Sequence, residues 1–144
     1  MKLVVEGIPM AKQSARFRIA KNKTAKDFIM SYQKKELKDN ETNSRFDIKH
    51  QLPKDFIPYA NIPLQLELTF VYPPLKSWTK AKMKQLENGE VIYKTTKPDN
   101  DNLQKNIADI LNGLVYTDDA LVSISVVKKI YGFTPRTEIV IKTL

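Results

Sequence analysis

The stretch TKPDNDNLQK (96–105) sets Asp99 and Asp101 two residues apart, with Lys105 four residues further on. YTDDA (116–120) then adds the adjacent pair Asp118 and Asp119. With Asp109 this makes five aspartates between 96 and 120, against two lysines (Lys97 and Lys105), in a chain of formal net charge +8. Carboxylates bunched in this way repel one another unless something cationic holds them together. Each acid has a local alternative. Asp99 or Asp101 suits a helix N-terminus, where a carboxylate satisfies free N–H groups and complements the dipole. Asp118 and Asp119 suit a turn. These alternatives leave the second of the alternating acids unexplained, and they give four carboxylates no reason to converge. A hydrated divalent cation supplies one, since Mg²⁺ prefers hard oxygen ligands and is typically held by a few carboxylates beside phosphate oxygens.

Other metal chemistries fit less well. Counted from Asp99, the fifth, sixth and twelfth positions are Leu103, Gln104 and Ile110, which breaks the calcium-loop pattern. With no cysteine and one histidine, His50, in a polar segment expected to be an exposed loop, a zinc site of ordinary ligand type is not expected. The cations complete the picture. MAKQSARFRIAKNKTAK (10–26) carries Lys12, Arg16, Arg18, Lys21, Lys23 and Lys26 without an acid, and Lys76, Lys80, Lys82 and Lys84 form a second basic cluster. Read blandly, such runs are solvated loops. Read with the aspartates, they draw in a phosphate backbone that the carboxylates would otherwise repel. Metal-assisted phosphodiester hydrolysis is the reaction class that uses both features. Lys12, Arg16, Arg18, Lys21, Lys23, Lys76, Lys80 and Lys82 are the candidate DNA contacts. Trp78 and Tyr116 are candidates for base stacking, although packing is the commoner use of such rings.

The positioning elements follow from periodicity. DNLQKNIADILNGL (101–114), wound as a helix, gathers Leu103, Ile107, Ile110, Leu111 and Leu114 on one arc for burial against a sheet. Asp101, Lys105 and Asp109 then line a different face, four apart, and Asn112–Gly113 supplies the stop. LQLELTFVY (64–72) alternates as a half-buried strand ended by Pro73–Pro74. KLVVEG (2–7), LVSISVVKKIY (121–131) and RTEIVIKTL (136–144) read as further strands, VIYK (91–94) as a short one, and RFRIA as a strand turn in the basic loop. Helices are expected over 25–39 and over 77–89, the latter capped by Ser77 and stopped at Gly89, while 40–62 reads mostly as loop. The expected fold class is α/β or α+β: a small mixed sheet with two or three helices packed on it.

At 144 residues the chain is expected to form a single domain, 1–144. Hydrophobic content of 42% and charged content of 28% are ordinary for a globular protein, so wholesale disorder is not expected. No apolar run approaches a membrane span, and MKLVVEGIPM is too short and mixed for a signal peptide. The expected compartment is the cytoplasm.

KPDNDNLQKNIADILNGLVYTDDALVSISVVKKIY, from Lys97 to Tyr131, resembles the RusA family of Holliday-junction resolvases, common in bacteria and their phages. The pattern D-x-D-N-L-x-K, a helix, then an Asp-Asp pair carries the likeness. GIPMAKQSARFR adds a similar Pro-then-basic N-terminal segment. The resemblance implies that Asp99, Asp101 and Asp119 bind metal, with Mg²⁺ or Mn²⁺ as cofactor, and that Lys105 is the family's helix lysine. It also implies a homodimer of a small mixed α/β fold that nicks four-way DNA junctions symmetrically, with no small-molecule substrate and no membrane partner. Asp118 either supports the site or adds a ligand. Lys105 neutralises transition-state charge, positions water, or simply pairs with Asp101 and Asp109 as a helix ion pair. Pro98 stands where some members carry arginine, and Leu121 where glutamine often follows the pair; neither is a metal ligand. Two rival readings remain: a metal-dependent nuclease of flaps or other branched DNA, and a DNA-binding module whose aspartates only cap and turn.

Overall fold

A computed structural model describes residues 1–12, 16–21, 23–24, 27–32 and 35–144, with backbone alone at 16–18 and 27–32. The strands are β1 (Lys2–Glu6), β2 (Arg16–Lys21), β3 (Asp27–Tyr32), β4 (Leu64–Tyr72), β5 (Val122–Tyr131) and β6 (Arg136–Thr143). The helices are α1 (Lys35–Gln51), α2 (Lys80–Glu87) and α3 (Asn100–Leu111). Four strands form one mixed sheet in the order β1-β6-β4-β5, and β2 and β3 pair as a separate antiparallel hairpin. This is the small α+β architecture that the sequence pattern predicts.

The pairing of β4 with β5 explains where the chemistry sits. β4 is antiparallel to β6 but parallel to β5. A parallel neighbour requires a crossover rather than a tight turn. That crossover, 73–121, contains α2, α3 and every candidate acidic ligand. α3 lies back on the sheet because Leu103, Ile107, Ile110 and Leu111 bury against Leu64, Leu66, Leu68 and Phe70 of β4, in one core with Ile139 and Ile141 of β6. Leu114 packs at its margin. Register places Ser125, Val127 and Lys129 of β5 beside Leu66, Leu68 and Phe70, on this same helix-covered face.

Several local expectations change. The helix expected over 25–39 is present only in its last part: 27–32 is β3, α1 starts at Lys35 and buries Leu37, and 25–26 and 33–34 lie outside the described residues. Phe28, Ile29 and Tyr32 are spaced as a helix would also space them, but DFIMSY pairs as a strand with RFRIAK, Ile29 opposite Ile19. α1 continues through the expected loop to Gln51, so His50 lies in a last helical turn, exposed, with Nδ1 2.8 Å from the Phe46 carbonyl. α2 is capped by Thr79, whose Oγ1 accepts from Lys82 N–H at 3.3 Å, not by Ser77. A turn from Leu75 to Trp78, closed by a 3.1 Å backbone bond, takes up the residues before it. Residues 92–94 make two backbone hydrogen bonds to β5 but no strand of their own. No helix among the described residues is long and apolar enough to cross a membrane.

Candidate active site

The loop entering α3 is held by side chains of the sheet and its edge. Lys129 Nζ donates to the Thr96 carbonyl at 2.9 Å and the Pro98 carbonyl at 2.7 Å, and Lys94 Nζ donates to Thr96 Oγ1 at 2.6 Å. The Lys97–Pro98 peptide is cis. Asp99 follows as the N-cap residue of α3, in extended backbone, yet its carboxylate makes no capping hydrogen bond. Its backbone carbonyl alone enters the helix, accepting from Leu103 N–H at 3.1 Å. Asp99 and Asp101 are both exposed at the helix N-terminus, where the dipole favours negative charge. Capping therefore does not account for Asp99.

It does account for Asp118. That carboxylate accepts from Ala120 N–H at 2.8 Å and caps the 3₁₀ turn Asp119–Leu121 that leads into β5. Asp119 is exposed. Tyr116, fully buried, docks this turn: its hydroxyl donates to the Ala108 carbonyl at 3.1 Å, and its carbonyl accepts from Gly113 N–H at 2.8 Å. Burial pushes the Tyr116 phenol well above its ordinary range, and the nearby carboxylates of Asp119 and Asp109 push it further. So Asp99 and Asp101 sit together at the start of α3, while Asp119 shares the surroundings of Tyr116 with Asp109. Ala108 stands seven residues beyond Asp101, about 10 Å of helix rise. Among the described residues no three acidic or histidine side chains gather closely enough to hold a metal ion. The donor chemistry of the first pair suits a hydrated Mg²⁺, which needs only one or two carboxylates beside phosphate and water.

The cations divide into bound and free. Lys12 is tied down: its N–H donates to the Asn102 carbonyl at 2.9 Å and its ammonium pairs with the Asp109 carboxylate. Asn106 Nδ2 donates to the Met10 carbonyl at 3.0 Å and the Tyr72 hydroxyl to the Pro9 carbonyl at 3.2 Å, so residues 9–12 strap across α3. Lys12 and Lys97 thereby reach the wall of an open groove of about 590 Å³ that Asp99 and Asn102 also line. Lys105 is exposed, and among the described residues it makes no ion pair, with Asp101, Asp109 or any other acid. Lys21, Lys23, Lys76 and Lys80 are exposed; so is Lys82, whose Nζ stands 4.5 Å over the Trp78 ring. The side chains of Arg16 and Arg18, and Lys26 altogether, lie outside the described residues. Tyr116 is too buried to stack on a base, and Trp78 packs edge-on to Tyr131 at 4.7 Å.

Two positioning residues carry no signal in the sequence. One is Lys129. The other is Arg45 of α1, whose Nη1 donates to the carbonyls of Ile110 (2.7 Å), Asn112 (3.1 Å) and Asp109 (3.3 Å). α3 has no basic residue in its last turn, so Arg45 satisfies its terminal acceptors and complements its dipole from a neighbouring helix.

Comparison with known proteins agrees with this layout. A family model described as endodeoxyribonuclease RusA matches residues 6–142. Over 82 residues the chain is 38% identical to "Uncharacterized protein YqaN" of Bacillus subtilis (strain 168), a stretch covering 56% of this chain and 57% of that protein. The chain thus matches little more than half the length of that curated relative. With the family match running from the last residue of β1 to the penultimate residue of β6, the chain belongs to the RusA endodeoxyribonuclease family.

Proposed function

We propose that the chain is a Mg²⁺-dependent, structure-selective endodeoxyribonuclease that resolves four-way DNA junctions by paired nicks as a homodimer, in recombination and repair. The observation that carries the reading is Asp99: an N-cap carboxylate left out of capping, exposed beside Asp101, at the edge of a groove walled by Lys12 and Lys97. Asp99 and Asp101 would hold the cation, Asp119 is the third candidate ligand, and Asp118 keeps the turn that carries Asp119 in shape. Bound Mg²⁺ supplies Lewis acidity at a phosphate oxygen and makes water a better nucleophile near neutral pH; Mn²⁺ serves in its place. The protein's own part is to orient. Lys129 fixes the loop that presents Asp99, and Lys105, one turn beyond Asp101, is free to meet negative charge developing on the phosphate. The exposed lysines before and on α2 hold the flanking backbone.

A competing reading, a DNA-binding module without catalysis, draws support from the capping role of Asp118 and from the lack of a three-carboxylate group among the described residues. One experiment separates the two. A labelled four-way junction is incubated with the protein in Mg²⁺ and, in parallel, in EDTA. Symmetric nicks in Mg²⁺ alone are expected. Binding without cleavage in both supports the module, and equal cleavage of flaps would move the substrate to branched DNA in general.

A further inference from the structure

A second groove opens at the end of α3 away from Asp99. It holds about 590 Å³, between the last turns of α1, the 52–58 loop and the turn that follows α3. Phe46, Leu52, Phe56, Pro58 and Leu114 give it an apolar lining. Hydrogen bonds brace these walls. Tyr59 N–H donates to the Val115 carbonyl and Thr117 N–H to the Tyr59 carbonyl, each at 2.9 Å, which joins the loop to the turn. Phe56 N–H closes on the Pro53 carbonyl at 3.0 Å, and the Phe56 ring meets Tyr59 edge-on at 5.7 Å. A groove so braced is formed before a ligand arrives, and preformed apolar concavities are where ligands bind. Phe46 is nonetheless 62% exposed, and Ile57, between Phe56 and Pro58 in the chain, is 82% exposed. Large apolar side chains left exposed around one groove mark an interaction surface.

Charge says what would fit. Lys49, His50 and Lys54, all exposed, also line the groove. The acids beside them in the chain, Asp47 and Asp55, do not. Phe46 and His50, four residues apart with ring centroids at 4.0 Å, form a ridge on α1, and His50 Nδ1 is held 2.8 Å from the Phe46 carbonyl. Glu6 and Asp47 line a separate recess on which the same two rings also border. The ridge thus divides a basic, apolar groove from an acidic one.

We propose that the basic groove docks an acidic segment of another protein. One large apolar side chain enters between Phe46, Phe56 and Leu114, and flanking carboxylates meet Lys49, His50 and Lys54 at the rim. An apolar centre with a charged rim is the ordinary anatomy of a protein interface. Nucleic acid fits less well, because its phosphates call for cations along a stripe, whereas these three surround an apolar floor. α3, twelve residues and about 18 Å of helix, separates the groove from Asp99, so a docked partner leaves the acidic loop open.

The test uses the full chain, without metal. Fluorescein-labelled nine-residue peptides, each with one Phe, Trp, Leu or Ile among aspartates and glutamates, are titrated and followed by anisotropy. At least one should bind saturably at micromolar concentration. Its affinity should fall at least about tenfold with Phe46→Ala, and as far with Lys49→Glu and Lys54→Glu together. Lysines in place of the peptide's acids, or alanine in place of its apolar residue, should cost as much. Should the variants fail to fold, amide NMR shifts of the wild type decide, expected over 46–58 and 113–114 on adding peptide. Binding of none of the peptides, full affinity in the folded variants, or shifts confined to other segments would overturn the docking site. So would an oligothymidylate that binds wild type and loses affinity with Phe46→Ala, which would make the groove a nucleic-acid site. The peptide titration involves no cleavage, so its failure leaves the nuclease reading untouched.

Discussion

Lys129 on β5 donates to the Pro98 carbonyl at 2.7 Å, joining the sheet to the residue immediately before Asp99. A second bond to Thr96 makes the ammonium a clamp on the whole approach to α3. Lys129→Met keeps the length and apolar stem but removes both donors. Net loss of stability should be about 1–2 kcal/mol. Because small misplacement of a reacting group can cost about a hundredfold in rate, single-turnover junction cleavage should fall by at least about tenfold. Junction affinity, measured in the same samples by anisotropy, should change little. An unchanged cleavage rate would remove the clamp from the mechanism.

Arg45 tests how α3 is anchored at its other end. Arg45→Met leaves three backbone carbonyls with one donor fewer and should cost about 2 kcal/mol. In a chain of this size that lowers the melting temperature by several degrees, on the order of 4 °C per kcal/mol. Arg45→Lys should recover part of the loss, since one ammonium still reaches some of the acceptors. Thermal unfolding followed by circular dichroism reads both.

Legibility from sequence followed the way each element buries itself. β4 alternates cleanly because one face is core, and its observed span, Leu64–Tyr72, is the alternating run itself. α3 declares itself through an apolar arc that is buried residue for residue from Leu103 to Leu111. α1 does not, because its inward face is Leu37, Asn40, Glu41, Ser44, Arg45 and Ile48, four of them polar. Arg45 sits there to meet α3 carbonyls more than sixty positions away, which no local period can announce. The spacing of the aspartates is written in the chain. What holds them is not: Lys129 acts on backbone carbonyls 31 and 33 positions earlier, and Lys12 pairs with an aspartate 97 positions later.

The divided roles of the lysines give a salt test. Replacing Lys76, Lys80 and Lys82 with glutamine should weaken junction binding. It should also flatten the dependence of log K on log salt, by about 0.9 for each phosphate that is no longer neutralised. Lys12→Gln alone should leave the slope near wild type, since its ammonium is already paired with Asp109. Anisotropy titrations across a salt series distinguish these outcomes. An unaltered slope in the triple variant would make the α2 cluster a solvated surface.

Two buried phenols make stability sensitive to strong base. Burial raises the Tyr72 phenol from 10.0 to about 12, and Tyr116 is raised further. Their contribution is whole below pH 10, where folded and unfolded phenols are both protonated, and is lost as pH climbs toward and past 12. Unfolding midpoints in urea should therefore fall above pH 10, more steeply for wild type than for Tyr72→Phe. Equal slopes would mean that the Tyr72 phenol titrates normally.

The central claim is that the aspartates hold a metal against a phosphate. Its most direct test is cleavage of a labelled four-way junction in Mg²⁺ by Asp101→Asn and Asp119→Asn, with binding measured alongside. Asparagine keeps the size of each side chain and serves nearly as well as a cap, so a capping role predicts little change. Metal holding predicts that each variant loses cleavage, while binding persists or tightens as repulsion between the site and phosphate falls. Cleavage at the wild-type rate by either variant, or a wild-type protein without metal-dependent cleavage of any branched DNA, would contradict the account.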